Sequence, residues 1–484
     1  MTLRSILPSP KAILPGQDLM SVRASRWDET AAPLGEPARI EQERTAEFDA
    51  DALLQRVARA LDGAADGDGE VSAVATTTMW HCLLGLDTEG RPATPVYTWA
   101  DRRAAHAAAR LRERLDERAV HARTGCPLHS SYWPAKLAWL HGSSPGSAGR
   151  VRTWVSPGEY VHRRLFGDAP VSTSMASATG LLDQHRCRWD PELASAVGAA
   201  GALPEIDDAP LHGLRDEWAR RWPALRDVPW FPAVGDGACS NVGTGCVTHD
   251  RAALMVGTSG ALRVMWAAED VPIPPGLWCY RADARRVLMG GALSDGGSVV
   301  AWLRRLTRLP SEEETESEIA AMEPDAHGLT VLPLLSGERG PGWADEASAT
   351  IAGLSLATNP LQLLRASLEA VALRFALIDE LLMEALPEER HVIATGGGLV
   401  ASPAWTQIMA DALGRPVTAS AVEEGSSRGA AMLALEALGT IDSLESVAVP
   451  LGDTFEPDPR HTAAYKRALA RQRELYEATI EIAR

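Results

Sequence analysis

The sequence predicts an α/β protein of two large domains, each built on a mostly parallel sheet. Two observations carry this. The chain has 484 residues, more than a single hydrophobic core organises. Short apolar runs alternate with segments of helical period through both halves, the pattern that carries parallel strands through helical crossovers.

The elements follow in order. Residues 1–45 are rich in Pro, Gly and charge and hold one candidate strand, 21–27. Phe48, Leu53, Leu54, Val57 and Leu61 share a face, so 46–61 reads as an amphipathic helix. A Thr-rich strand pattern in 71–86 runs into Trp80, His81 and Cys82, and 95–99 reads as another strand. Helices are expected at 102–116 and 160–165, and a Ser/Thr/Ala loop at 176–183. In the second half, strands are expected at 252–256, 287–292, 329–335 and 392–395. Helices are expected there at 298–309, 360–386, 404–413, 428–438 and 461–482.

Composition narrows the function. Apolar residues make up 45% and charged residues 23%, as in ordinary globular chains. A net charge of −17 argues against nucleic-acid and anionic-membrane surfaces. No apolar run is long enough to cross a bilayer, and the N-terminus lacks a secretory pattern. The six cysteines form no C-x-x-C pair, which fits buried thiols in a reducing cytoplasm. The only lysines are Lys11, Lys136 and Lys466, so a catalytic cation is expected to be arginine.

Four motifs bear chemistry. Asp236 stands between Gly235 and Gly237, where a ligand approaches a carboxylate closely. Gly257, Thr258, Ser259 and Gly260 form a turn whose amides suit an anion. Gly396, Gly397 and Gly398 join an apolar run to a helix for which Ser402 is the expected N-cap and Pro403 the first residue. Trp99, Asp101 and Arg103 offer an aromatic face and polar groups to a sugar, as do Trp80 and His81. Singly, each has an ordinary reading: a turn, a solvated helix start, a histidine satisfied in the core. Lys136 reads as structural, its stem covering a helix face.

Taken in order, these blocks resemble the FGGY family of carbohydrate kinases, and most of all its gluconate-kinase and xylulose-kinase branches. The matching segments run from His81 through Arg103, Lys136, Asp236, Gly257–Gly260, Pro333–Pro341, Arg365–Glu369 and Gly396–Gly398 to Gly429. The resemblance implies two actin-like (ribonuclease-H-like) domains with a ligand cleft between them. It divides the chain into a sugar-binding domain, 1–247, and a nucleotide-binding domain, 248–484. It implies ATP-dependent phosphorylation of a sugar, polyol or sugar acid, gluconate- or xylulose-like, with Asp236 as catalytic base. Trp80, His81, Asp101 and Arg103 then bind the sugar. Gly257 and Thr258 face the ATP phosphates, Gly290 and Gly291 wall the nucleotide together with Gly296 and Gly297, and Gly396, Gly397, Gly398 and Ser402 line the adenosine. Mg²⁺ accompanies ATP, with no protein ligand identified, and a homodimer is a fold-level expectation.

The N-terminus departs from the family. Its members open with a strand ending in an Asp-x-Gly-Thr loop that holds phosphate. Here Gly16 and Asp18 stand in the reverse order, and Pro15 lacks the N–H a central strand requires. The first phosphate loop reads as scrambled, from a misread gene start or from loss of activity. Two functions therefore stay open: a kinase, and a non-catalytic sugar- or nucleotide-binding regulator of the same fold. A dehydrogenase is disfavoured because the G-x-G-x-x-G fingerprint is absent.

Overall fold

The computed structural model describes residues 2–10, 19–43, 45–65 and 70–483. Pro15, Gly16 and Asp18, on which the scrambled loop rests, lie outside the described residues.

Two sheets organise the chain. The first has five strands in the order Ala38–Glu43, Leu19–Trp27, Thr2–Pro10, Val71–Thr78 and Val234–Gly235. The second has seven: Trp278–Arg281, Arg286–Leu293, Gly260–Ala267, Arg251–Val256, His391–Thr395, Val417–Ser420 and Leu451–Phe455. In each, the strand that comes first in the chain lies inside the sheet, paired antiparallel on one side and parallel on the other, and the second sheet ends in an antiparallel edge strand, Leu451–Phe455. The sheets are therefore mixed, which corrects the mostly parallel expectation. The reason is local: the tight Gly257–Gly260 turn joins only antiparallel strands, because a parallel return needs a long crossover.

Most predicted elements are present with shifted ends. The first amphipathic helix spans Ala50–Ala65 and buries Leu53, Leu54, Val57 and Leu61, while Phe48 falls in the short strand Glu47–Phe48. The long helix Pro360–Ala385 starts in a capping box between Asn359 and Gln362. No helix among the described residues is long and apolar enough to cross a membrane. The six thiols are unpaired and all but Cys187 are buried. Burial pushes Cys239 and Cys246 up to about 12, so they pack as small apolar groups.

The halves meet at several places, among them the His129 and Ser130 contacts with Asp345 and two built largely on backbone. Helix Gly425–Ala437, from the end of the chain, crosses helix Asp236–Gly243 with backbones touching. A Cβ on Gly243 would lie 1.8 Å from the Gly425 carbonyl oxygen, and one on Gly429 1.8 Å from that of Cys239. Arg428, at this crossing, donates to the carbonyls of Ala31, Gly243 and Ala448. Elsewhere, strand Trp278–Arg281 of the second sheet is bonded to loops of the first half. Cys279 N donates to Gly125 O (2.9 Å), Arg281 N to Ser177 Oγ (2.9 Å) and Arg281 Nε to Gln184 O (2.9 Å).

The helix crossing yields a test. Gly429→Ala is expected to cost about 3 kcal/mol, because the obstructing atoms are backbone. Gly142→Ala, in open space on helix Trp133–Ser143, is expected to stay within about 1 kcal/mol of the parent. Urea or thermal unfolding compares them, and equal midpoints would refute the account of the crossing.

Candidate active site

Asp236 is the first residue of helix Asp236–Gly243, directly after strand Val234–Gly235. Its flanking glycines answer to close approach rather than to turn geometry. A Cβ on Gly235 would lie 1.8 Å from the Trp80 indole, and one on Gly237 2.5 Å from Arg263 Nη1. Gly237 N donates to Asp236 Oδ1 (2.9 Å), as suits a carboxylate at a helix N-terminus. Burial raises the proton affinity of the Asp236 carboxyl, opposed first by the Arg263 charge and then by the Gly237 amide and Arg339. A carboxylate made more basic than usual is equipped to take a proton.

An aromatic wall stands beside it. Trp80 and His81 pack against Tyr280, whose hydroxyl meets that of Tyr132 at 2.5 Å. Tyr280 stacks in turn on Trp278, centroids 4.2 Å apart. His81 is held at φ +65°, a conformation a non-glycine residue keeps only when its surroundings enforce it. Two contacts do so. Its Nδ1 lies 2.6 Å from Ala178 O, and its own carbonyl accepts from Lys136 Nζ at 3.3 Å. Because a carbonyl only accepts, Nδ1 carries the proton, and Nε2 is left as the acceptor of a neutral ring. Burial holds the ring well below its ordinary pKa. Lys136 also donates to Ser131 O, and burial lowers it to about 8, so its role here is to brace His81.

Asp101 and Arg103 pair with each other. Arg103 grips Asp101 through Nε (3.0 Å) and Nη2 (2.6 Å), reaches Glu47 with the same Nη2 (2.5 Å), and lies over Tyr97 and Trp139. Its donors toward a ligand are largely committed. A cavity of about 240 Å³ opens nearby between the halves, walled by Trp99, Arg102 and Ser130 on one side and Thr258, Asp295 and Arg339 on the other. Arg339 sits 5.0 Å from the centre of the Trp99 ring. Its Nε is buried without a partner, and no carboxylate pairs with it among the described residues.

The turn after strand Arg251–Val256 faces this cavity at Thr258. Its carbonyls are occupied: Gly257 O and Thr258 O accept from the amides of Gly296, Gly297 and Ser298 at the start of helix Gly297–Leu306. Its Thr258 and Ser259 amides have no backbone partner among the described residues, which leaves two donors of the kind that cradle an anion. Gly296 lies against the turn, where a Cβ would come 2.8 Å from Ser259 O.

Gly290 and Gly291 lie elsewhere. Both are buried inside strand Arg286–Leu293, and a Cβ there would strike Leu262 O (2.2 Å) and Ile378 (2.6 Å) respectively. Strand packing accounts for the absence of a side chain at both. Gly396 has φ +85° and sits under Val256 O, between strand His391–Thr395 and the short helix Gly397–Val400. Ser402 caps helix Pro403–Leu413, accepting from Trp405 N and donating to Glu316.

One described group, Asp325, His327 and Glu369, has metal-like spacing. His327 Nδ1 accepts from Leu329 N, so Nε2 carries the proton toward Glu369 (2.9 Å), and Arg365 and Tyr465 complete the network. It is an ion network with no imidazole lone pair to give. Sequence reading also passed over Arg263, Arg339, Tyr132 and Tyr280. Arg339 lies inside the quoted Pro333–Pro341 block and was within reach, whereas the other three carry no local motif.

Comparison with known proteins agrees with this layout. The N-terminal domain of the FGGY family of carbohydrate kinases matches residues 30–243 and its C-terminal domain residues 252–438. A gluconokinase from Bacillus subtilis (strain 168) is 27% identical over 412 residues, 81% of this chain and 80% of that protein. A glycerol kinase from Aromatoleum aromaticum is 30% identical over 439 residues, 86% of this chain and 87% of its own. The crystal structure of a gluconate kinase from Lactobacillus acidophilus superimposes with a TM-score of 0.87 at 23% identity, over 99% of this chain and 98% of that one. With both domains matched in order around the cleft, the chain belongs to the FGGY family of carbohydrate kinases, enzymes that transfer a phosphoryl group from ATP to a carbohydrate hydroxyl.

Proposed function

We propose that Asp236 is the catalytic base of this kinase and that its substrate is an open-chain sugar acid of the gluconate type. The observation that carries the reading is the half-buried Asp236 carboxyl, made more basic by burial and set between an aromatic wall and two arginines. As the acceptor oxygen bonds to phosphorus and the bond to ADP breaks, the hydroxyl proton passes to Asp236. Residues 1–247 then present the sugar and 248–484 the nucleotide. Thr258 and Ser259 receive phosphate oxygens through their amides, next to Gly296 and Gly297. Gly396, Gly397, Gly398 and the end of the helix capped by Ser402 form the adenosine side.

On the sugar side, His81 accepts a substrate hydroxyl at Nε2, and Trp80 and Trp99 cover the carbon chain. Arg103 and Asp101, bonded to each other, set the rim, while Arg339, which has no carboxylate partner among the described residues and lines the cleft, meets the substrate carboxylate. The Bacillus relative named gluconokinase supports this choice of acid. Magnesium keeps several waters and takes one or two carboxylates beside the phosphates. Asp295, which lines the cleft beside Thr258, is the carboxylate that would hold it there, and a bound ion would offset the charge of the triphosphate.

Asp236→Asn is expected to lower kcat by about 10³-fold, within the range general bases contribute. ATP affinity by isothermal titration stays within about twofold in this variant, because the base is not asked to bind nucleotide. Near-parental turnover in a coupled ADP assay would overturn the role. The parent's kcat/KM rises with pH as Asp236 ionises, with its midpoint above the ordinary carboxylate value. Across gluconate, xylulose and glycerol, gluconate is expected to be the best substrate. Arg339→Ala is expected to cut kcat/KM for gluconate by about 10- to 100-fold, the worth of a charge-assisted hydrogen bond, and that for glycerol far less. Equal losses on both substrates would count against the acid.

A further inference from the structure

Arg263 lies in the middle of strand Gly260–Ala267, opposite Ala253 on one side and Gly290 on the other. It is 4% exposed. Its Nε and Nη2, the side-on edge of the guanidinium, are enclosed and have no hydrogen-bond partner among the described residues. A cation in that state is expensive to keep, and packing alone would be served better by an apolar side chain of similar volume. Burial lowers its proton affinity to about 10, which still leaves it charged at neutral pH.

The surroundings are shaped around this side chain. Gly237 lacks the Cβ that would lie 2.5 Å from Nη1, and Gly290 the one that would lie 3.1 Å from Arg263 Cα. Asn241 Nδ2, on the helix that Asp236 begins, donates to Arg263 O at 3.3 Å. The guanidinium thus rests against the backbone next to Asp236, although it belongs to the other sheet. Its strongest opposite charge is the Asp236 carboxylate.

Other groups around Asp236 leave the assignment clear. Arg339 acts on it from the 336–345 loop, more weakly than Arg263. Cys82, from the first half, and Cys239, from its own helix, are thiols pushed up to about 12 and carry no charge at neutral pH. His81 is neutral, and Ser426 donates to the Asp236 carbonyl rather than to its carboxylate.

We propose that Arg263 is a positioning residue for the reaction: presented by the second sheet, it supplies the positive charge that keeps the Asp236 carboxylate ionised as water leaves the cleft. The inference rests on Asp236 being the base. It makes the base a two-domain device, with the carboxylate carried by one half and its counter-charge by the other. The γ-phosphoryl acceptor is thereby activated only where both halves contribute.

The test is the pH profile of kcat/KM with the best substrate and saturating MgATP. Arg263→Met and Arg263→Gln remove the charge, and the acid limb is expected to move up by about one pH unit or more, as when an opposite charge beside a carboxylate is lost. At the parental midpoint the variants then lose about fivefold or more in rate, and they recover as the pH is raised. Arg263→Lys keeps the charge and is expected to hold the limb within about half a unit of the parent. Thermal transitions report folding for all three, and a purely structural role would lower them without moving the limb. A limb that stays put in a folded neutral variant, or moves equally in the lysine variant, overturns the proposal. Asp236→Asn separates the two readings. Activity surviving in that variant refutes the base itself, whereas an inactive Asp236→Asn with an unmoved limb refutes Arg263 alone.

Discussion

The backbone contact between helices Asp236–Gly243 and Gly425–Ala437 is the constraint on which the rest of the molecule depends. Gly243, Gly425 and Gly429 let the two helices approach until carbonyls occupy the space of a Cβ. That approach sets where the helix carrying Asp236 begins. It also closes a core in which Ala238, Cys239 and Val242 from one segment join Ala430, Ala431, Met432 and Leu435 from another nearly two hundred residues on. Small residues are used here for the space they leave. Side chains of ordinary size would separate the halves and move the carboxylate away from its partners.

Around that frame, charge is distributed unevenly. Some arginines around the cleft are ion-paired: Arg103 with Asp101 and Glu47, and Arg374 with Glu338, which lines the cleft. Arg263 and Arg339 are not, and Asp236 is the carboxylate both of them feel. In a low-dielectric site, unpaired cations raise the affinity for anions and hold acids ionised at the same time. Binding an acidic substrate and keeping the base competent thus draw on one local excess of positive charge.

Much of this was legible in the sequence where glycines punctuate strong apolar runs. The strand before Gly396, the strand before Gly257 and the N-cap at Ser402 follow from local pattern alone. Helix Asp236–Gly243 did not, because two glycines with Ser and Asn have poor helix propensity; it forms through its contact with a distant helix. Strand Gly260–Ala267 was missed because a buried arginine breaks its apolar run, and strand Trp278–Arg281 because Arg281 is satisfied by carbonyls of Gln184, Ala268 and Glu269. The pairing of Arg103 with Glu47 was not legible, because nothing nearby in sequence announces that carboxylate. The packing of Gly290 and Gly291 was not legible, because sequence cannot separate a glycine that admits a nucleotide from one that admits a neighbouring strand.

Strand Trp278–Arg281 is bonded on both sides, to its own sheet and to Gly125, Ser177 and Gln184 of the first half. A segment fastened to two bodies cannot travel far relative to either. The glycine crossing is a second such point, and a third joins His129 and Ser130 of the first half to Asp345 of the second. Attachments spread over three places hold the halves in one relative orientation, so widening the cleft means breaking some of these bonds.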